Sequence, residues 1–307
     1  MSGRRLYVDW RGGLYKHPPE RNLFDDLFRT VDLDLAPAPP DSGSVHPARW
    51  AGALDKTFAS VYREDGEPPW NRQAAIEKYS FDLGRMDYPH DVLVMWDFDQ
   101  FGKLRPAMEQ KLGIPMSLTD SEAMGILFRR HLQLNLGLAE RLNETWRRIP
   151  QGHPIVGVHV RLTQESARAR GAINLRHYYR AIDRLSRPDE TRVFLATDNE
   201  AIQHQFERRY RDRLFVNPKW FDRGGEPLHL ANERCPDSWE NIVGAMLDMF
   251  MLARCDALVY PAGSSFSMVA RLVGDFSLTR VVPLDFRGSS IQRLRRRAGW
   301  LFGKLCR

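Results

Sequence analysis

Between Ile155 and Leu284, short apolar runs alternate with helix-length segments, and no other feature of the chain limits its fold so tightly. The runs are Ile155–Val160, Val193–Ala196, Leu214–Val216, Leu258–Tyr260 and Val281–Leu284. Between them lie helical stretches that begin near Asn174, cover Glu200–Arg211 and Ile242–Arg254, and end with Phe266–Leu272. Continuously apolar runs suit strands buried on both faces. Strands separated by helices of this length need crossovers, which are right-handed, so the sequence predicts a parallel sheet with helices on both sides.

The first half is less regular. Leu6–Trp10 reads as a strand ending in the turn Arg11-Gly12-Gly13, and Val92–Trp96 as a second strand. Residues 31–50 carry Pro37, Pro39, Pro40, Gly43 and Pro47, enough breakers to predict a surface loop. Over residues 121–148, Met124, Leu127, Phe128, Leu132, Leu134, Leu138 and Leu142 fall at helical spacing, which predicts one long helix ending at Pro150 and bridging two halves. A chain of 307 residues exceeds what one core usually serves. Two domains are expected, 1–150 and 151–307.

The totals exclude several classes. With 43% apolar and 27% charged residues the chain is an ordinary globular protein, and no apolar run reaches bilayer length. The start MSGRRLYVDW has no long apolar core, and Cys235, Cys255 and Cys306 form no C-x-x-C pair, so a cytoplasmic protein without disulfide framework or zinc site is expected. The net charge of +6 favours an anionic ligand. No basic stripe interleaved with aromatics points to nucleic acid. Arg293, Arg295, Arg296 and Arg297, near Trp300 and Phe302, could hold an acidic membrane surface as a peripheral contact, although the solvated face of a terminal helix is the plainer reading.

In an open parallel sheet, ligands bind at the carboxyl ends of the strands. Three such ends carry chemistry. At the first, His159 lies within the strand and Arg161 at its exit, where a planar fork of donors suits a diphosphate or a surface carboxylate equally. At the second, Thr197-Asp198-Asn199 can line a ligand or cap the next helix through Thr197 or Asp198. The third begins with Asp248, in a helix apolar nearly all round, where a carboxylate needs an internal Arg or a ligand donor as partner. The same helix leads into Pro261-Ala262-Gly263-Ser264-Ser265-Phe266-Ser267, whose small residues and hydroxyls open another helix. A helix N-terminus of that composition is a ready phosphate site, or simply a serine cap.

V-G-V-H-V-R at 156–161, V-F-L-A-T-D at 193–198, P-L-H at 227–229 and L-D-M-x-x-L-A-R-C at 247–255 together resemble the donor half of GDP-fucose-dependent fucosyltransferases of the NodZ-like and α1,6 kind. The resemblance extends weakly to V-D-W-R at 8–11 and V-M-W at 94–96. It implies an α/β fold of the GT-B type, two Rossmann-like domains with parallel sheets facing across a cleft. The N-terminal domain would be the acceptor side, and the C-terminal domain would bind the nucleotide sugar. It also implies inverting transfer of fucose from GDP-fucose to a glycan hydroxyl, on an acceptor containing N-acetylglucosamine, with no metal or other cofactor. By the same resemblance Arg161 binds the β-phosphate with help from Ser264, next to Ser265 and Ser267, while His159 and Asp248 surround the guanine. Thr197 and His229 are further candidates for the donor site.

The chain departs from the relatives in two respects. They carry a second Arg and then an acidic residue after the first Arg, where Leu162, Thr163, Gln164 and Glu165 stand here, and Glu165 or Asp198 is left as the candidate base. They also begin with a further strand and Gly-rich loop ahead of V-D-W-R, so an N-terminal half short of its first strand–helix unit is expected. Two alternatives stand beside the fucosyl reading. One is a GT-B transferase with another nucleotide sugar or a protein acceptor, and the other is a non-catalytic nucleotide-sugar-binding module.

Overall fold

The computed structural model describes residues 3–11, 21–40, 43–66, 72–85, 87–96, 101–161, 175–187, 190–224, 226, 228–274, 276 and 280–284. Glu165 and the 293–302 cluster lie outside the described residues. Contacts divide the chain into two compact units, Met1–Leu136 and Gly137–Arg307.

The first unit holds α1 (Leu23–Leu27), β1 (Phe28–Thr30), β2 (Val45–His46), α2 (Phe58–Glu64), α3 (Arg72–Tyr79), β3 (Val92–Leu93), α4 (Arg105–Leu112), α5 (Asp120–His131) and β4 (Leu132–Leu134). Its described strands pair only in twos: β1 with β4 antiparallel, and β2 with β3 parallel. Three expectations are corrected here. Leu6–Trp10 is not a sheet strand; Leu6 makes one isolated bridge to Leu35, and Leu6 and Trp10 remain 52% and 45% exposed, so no buried face orders the run. The stretch 31–50 is not loop throughout, because Val45 and Trp50 enter a core with Val61, Ala75 and Tyr79, and the Trp50 indole N–H donates to the Tyr79 carbonyl at 2.9 Å. The single helix over 121–148 is two. The capping box of Thr119 and Glu122 starts α5, and Arg129, Arg130 and His131 close it favourably at its negative end. Leu132–Leu134 then pairs with β1, a tertiary contact that overrides helical spacing.

The second unit opens with α6 (Leu136–Arg147), whose Arg141 forms a bidentate pair with Glu240 at 2.6 and 2.8 Å. The contact division thus falls ahead of residue 150, with α6 on the C-terminal side. There follow β5 (Ile155–Val160), α7 (Arg176–Leu185), β6 (Arg192–Thr197), α8 (Glu200–Tyr210), β7 (Leu214–Val216), α9 (Ser238–Arg254), β8 (Ala257–Pro261), α10 (Ser265–Val273) and β9 (Val281–Leu284). The five strands form one parallel sheet in the order β7-β6-β5-β8-β9. The predicted parallel α/β architecture is therefore present.

Strand periodicity assigns the two faces of the sheet. Val156, Val158 and Val160 pack with Tyr178 and Ile182 of α7 and Ile202 and Phe206 of α8. Gly157, pointing the other way, lies under α9, where an added Cβ would come within 3.0 Å of the Cys255 Sγ and 3.1 Å of the Leu252 Cδ2. His159 shares the face of Gly157, so the imidazole points toward α9 and α10. The chain builds outward from β5 to β7 and then returns to lay β8 on the other side of β5. The order reverses between β5 and β8, and this is where open α/β sheets bind ligands.

Candidate functional site

The β5 exit carries the first group. The His159 ring is buried, its Nδ1 hydrogen-bonds the Ser267 hydroxyl of α10, and Phe266 lies at 4.8 Å between centroids. Burial first, then the Arg161 and Lys219 charges, push its pKa down to about 3, so the imidazole is neutral. Half-buried Arg161 donates from Nη2 to Nε2 of His229 at 3.4 Å. His229 is likewise held below its ordinary value, by burial and then by Arg161. The acceptor role of its Nε2 agrees with a neutral ring.

The β8 exit delivers the serines. Ser264 occupies the N-cap position of α10 but makes no side-chain cap bond. Its Oγ is buried and has no hydrogen-bond partner among the described residues. Ser265 is exposed and Ser267 fully buried. The first-turn amides of such a helix have no intrahelical acceptors. Because β5 and β8 are adjacent and parallel, pairing Val158 with Val259, the arginine exit and the serine helix tip lie at the same end of the sheet.

Asp248 in α9 has an internal partner, but a lysine where the sequence suggested an arginine: the Lys219 ammonium contacts Oδ2, and both side chains are 6% exposed. Burial raises the carboxyl pKa, while the Lys219 ammonium acts against that rise. Oδ1 makes no hydrogen bond among the described residues. Asp248 Oδ1 and Ser264 Oγ are thus two buried polar atoms of the strand-exit region without a hydrogen-bond partner among the described residues.

The β6 exit differs from expectation. Neither Thr197 nor Asp198 caps α8; Asn199 does, accepting from the Ile202 amide at 3.0 Å, because its side chain stands at the position that reaches the N3 amide. Thr197 Oγ1 instead accepts from the Asn199 amide at 3.3 Å. Asp198 acts electrostatically on buried Tyr178, whose phenol is raised mainly by burial and further by that carboxylate.

Sequence reasoning missed the β7 exit, Asn217-Pro218-Lys219-Trp220. A cavity of about 220 Å³ opens there, lined among others by Asn217, Lys219, Trp220, Cys235, Asn241 and Leu247. The strand-exit rule applied to this fourth strand would have found it. Among the described residues no group of three or more His, Cys, Asp or Glu is placed to hold a metal, and no helix is long and apolar enough to cross a membrane.

Fold and site define the class: an α/β protein whose parallel sheet gathers buried polar residues at the carboxyl ends where strand order reverses. The family model described as Nodulation protein Z (NodZ) matches residues 114–297, more than half of the chain. The chain belongs to the NodZ family. It is 26% identical over 316 aligned positions to Nodulation protein Z of Bradyrhizobium diazoefficiens, covering 93% of this chain and 74% of that protein. Among solved structures it is similar to NodZ alpha-1,6-fucosyltransferase soaked with GDP-fucose (TM-score 0.56, 26% identity, 91% of this chain and 86% of the other). It is equally similar to that enzyme co-crystallised with GDP (TM-score 0.56, 25% identity, 89% and 83% covered).

Proposed function

We propose that the chain is a fucosyltransferase that moves fucose from GDP-fucose to a glycan hydroxyl, on an acceptor containing N-acetylglucosamine, with inversion at the anomeric carbon. The observation that carries this reading is that Arg161 and the unpartnered, buried Ser264 hydroxyl follow adjacent parallel strands at the same end of the sheet. The fucosyltransferase relatives with GDP or GDP-fucose support the identity of the donor.

In this reading the acceptor oxygen attacks C1 of fucose from the face opposite GDP, and the C1–O bond to the β-phosphate breaks. Arg161 and Ser264, with the free amides opening α10, receive the charge that appears on the departing diphosphate. The hydroxyl proton passes to a carboxylate, Glu165 or Asp198. His159, Thr197, His229, Ser265, Ser267 and Asp248 complete the donor site, with the neutral imidazole and Asp248 near the guanine. Because a guanidinium supplies the positive charge, the reaction requires no metal. The reading includes the GT-B arrangement, with the first unit on the acceptor side, and a cytoplasmic location.

Calorimetric titration with GDP, with magnesium and with chelator, combined with a GDP-release assay on chito-oligosaccharide, tests it. The expected result is equal GDP affinity in both conditions and acceptor-dependent release from GDP-fucose. Binding without release across many acceptors would instead identify a nucleotide-sugar-binding module. No GDP binding would eliminate the fucosyl reading.

A further inference from the structure

Among the described Phe, Tyr and Trp residues, Trp10 is the one that is exposed, 45% open to solvent where the others are buried or half-buried. A solitary exposed apolar side chain is ordinary when it is loose. This one is held. Its ring meets those of Phe24 and Phe28 nearly at right angles, with centroids 5.8 and 5.6 Å away. Its backbone N–H donates to the Asn22 Oδ1 at 2.9 Å, and the Asn22 Nδ2 donates to the Val8 carbonyl at 2.7 Å. Asn22 also caps α1, so one side chain ties residues 8–10 to the start of that helix although no sheet orders them. Beside the ring along the chain, Arg11 grips Asp9 through Nε and Nη2, both at 2.9 Å, and the two side chains remain 20% and 27% exposed. Burial first, then the Asp9 charge, raise the Tyr7 phenol, Arg11 opposes and Asp25 adds, so a further hydroxyl and a second carboxylate stand within electrostatic reach of the pair.

A held aromatic ring flanked by a fixed carboxylate and guanidinium matches one class of ligand. A pyranose with equatorial substituents shows a face of axial C–H groups and a rim of hydroxyls. Those C–H groups carry partial positive charge and the face of an indole is negative, so the two stack. A carboxylate accepts from the rim hydroxyls, and a guanidinium has N–H donors for them beyond the two spent on Asp9. A protein partner calls for a contiguous apolar patch, whereas here a single ring stands between charged neighbours. We infer that Trp10 is the stacking platform of a saccharide subsite in the first unit, with Asp9 and Arg11 holding hydroxyls of the sugar that lies on it. The inference rests on the fucosyl-transfer reading above and deepens it, since β-linked N-acetylglucosamine, the acceptor sugar of that reading, is a pyranose of this kind. The subsite sets the affinity for the acceptor and leaves that for the donor untouched.

The experiment titrates the full chain with chitotriose by calorimetry, without nucleotide, in the unmodified protein, Trp10→Leu and Trp10→Tyr. Leucine keeps an apolar cover over Phe24 and Phe28 but has no π face, whereas tyrosine keeps both. The unmodified chain should bind chitotriose. Trp10→Leu should weaken that binding at least about tenfold, and Trp10→Tyr by no more than about threefold. Saturation-transfer NMR on the sugar supplies the positional readout: saturation should concentrate on the axial protons of one ring face and vanish in Trp10→Leu. Equal affinity of Trp10→Leu and the unmodified chain overturns the inference. So does an equal loss in the leucine and tyrosine variants, which would make the residue part of the fold alone, and so does an unmodified chain that binds no chitotriose. GDP titration of the same samples separates the two failures. A chain that binds chitotriose through Trp10 but no GDP overturns the donor reading and leaves the subsite standing, whereas GDP binding without chitotriose binding does the reverse.

Discussion

The Ser264 hydroxyl is buried without a hydrogen-bond partner, so the folded protein carries a desolvation cost that the side chain does not recover internally. Ser264→Ala should therefore leave thermal stability unchanged or raise it, by up to about 1 kcal/mol, while weakening GDP binding roughly fivefold. Thermal melts and calorimetry on the same sample check both halves; a loss of stability without loss of affinity would make the residue a plain cap. His159 gives a pH signature. Its folded pKa of about 3 lies below the ordinary 6.5, so below about pH 6.5 the unfolded chain takes up a proton that the folded chain refuses, and stability falls with pH. Asp248, raised by burial, works in the opposite direction and is common to both proteins when His159→Asn is compared with the unmodified chain. Between about pH 7 and pH 5 the unmodified chain should lose about 2 kcal/mol more than the variant, measured by urea unfolding. Parallel curves would mean that His159 is not held neutral. His159, Arg161, Asp248 and Ser264 were legible in the sequence because each breaks an apolar context or follows a strand. Lys219 was not, since a lysine in a polar loop looks solvated until the fold buries it against Asp248.

At the level of elements, α9 packs closely on β5. A Cβ at Gly157 would stand 3.0–3.1 Å from the Cys255 and Leu252 side chains, so the larger Gly157→Val should overpack the interface and cost about 1–3 kcal/mol, read from the denaturation midpoint. An unaffected midpoint would mean that the helix can retreat freely. The C-terminal sheet could be read from sequence because its strands are buried on both faces and separated by clear helical segments. The first unit could not. Its described strands are two or three residues long, too short for a period of two to register, and β4 sits inside a run of leucines whose spacing fits a helix. Only pairing with Phe28–Thr30, some hundred residues earlier, decides its conformation.

For the whole molecule, the central proposition is that two strand exits of the second unit act on one diphosphate. The strand order supports it, since β5 and β8 flank the reversal point and all four exits from β5 to β8 open at the same end. Stability is tied to this layout only through shared packing, so a coupled loss of ligand affinity, rather than of folding, is the informative quantity. A double-mutant cycle with Arg161→Lys and Ser264→Ala, titrated with GDP and with GMP, measures it most directly. If both groups hold the β-phosphate, each variant weakens GDP by about fivefold or more and leaves GMP nearly unchanged, and the two effects are non-additive. If either variant weakens GMP as much as GDP, or the effects on GDP are absent, the two exits do not serve the same phosphate.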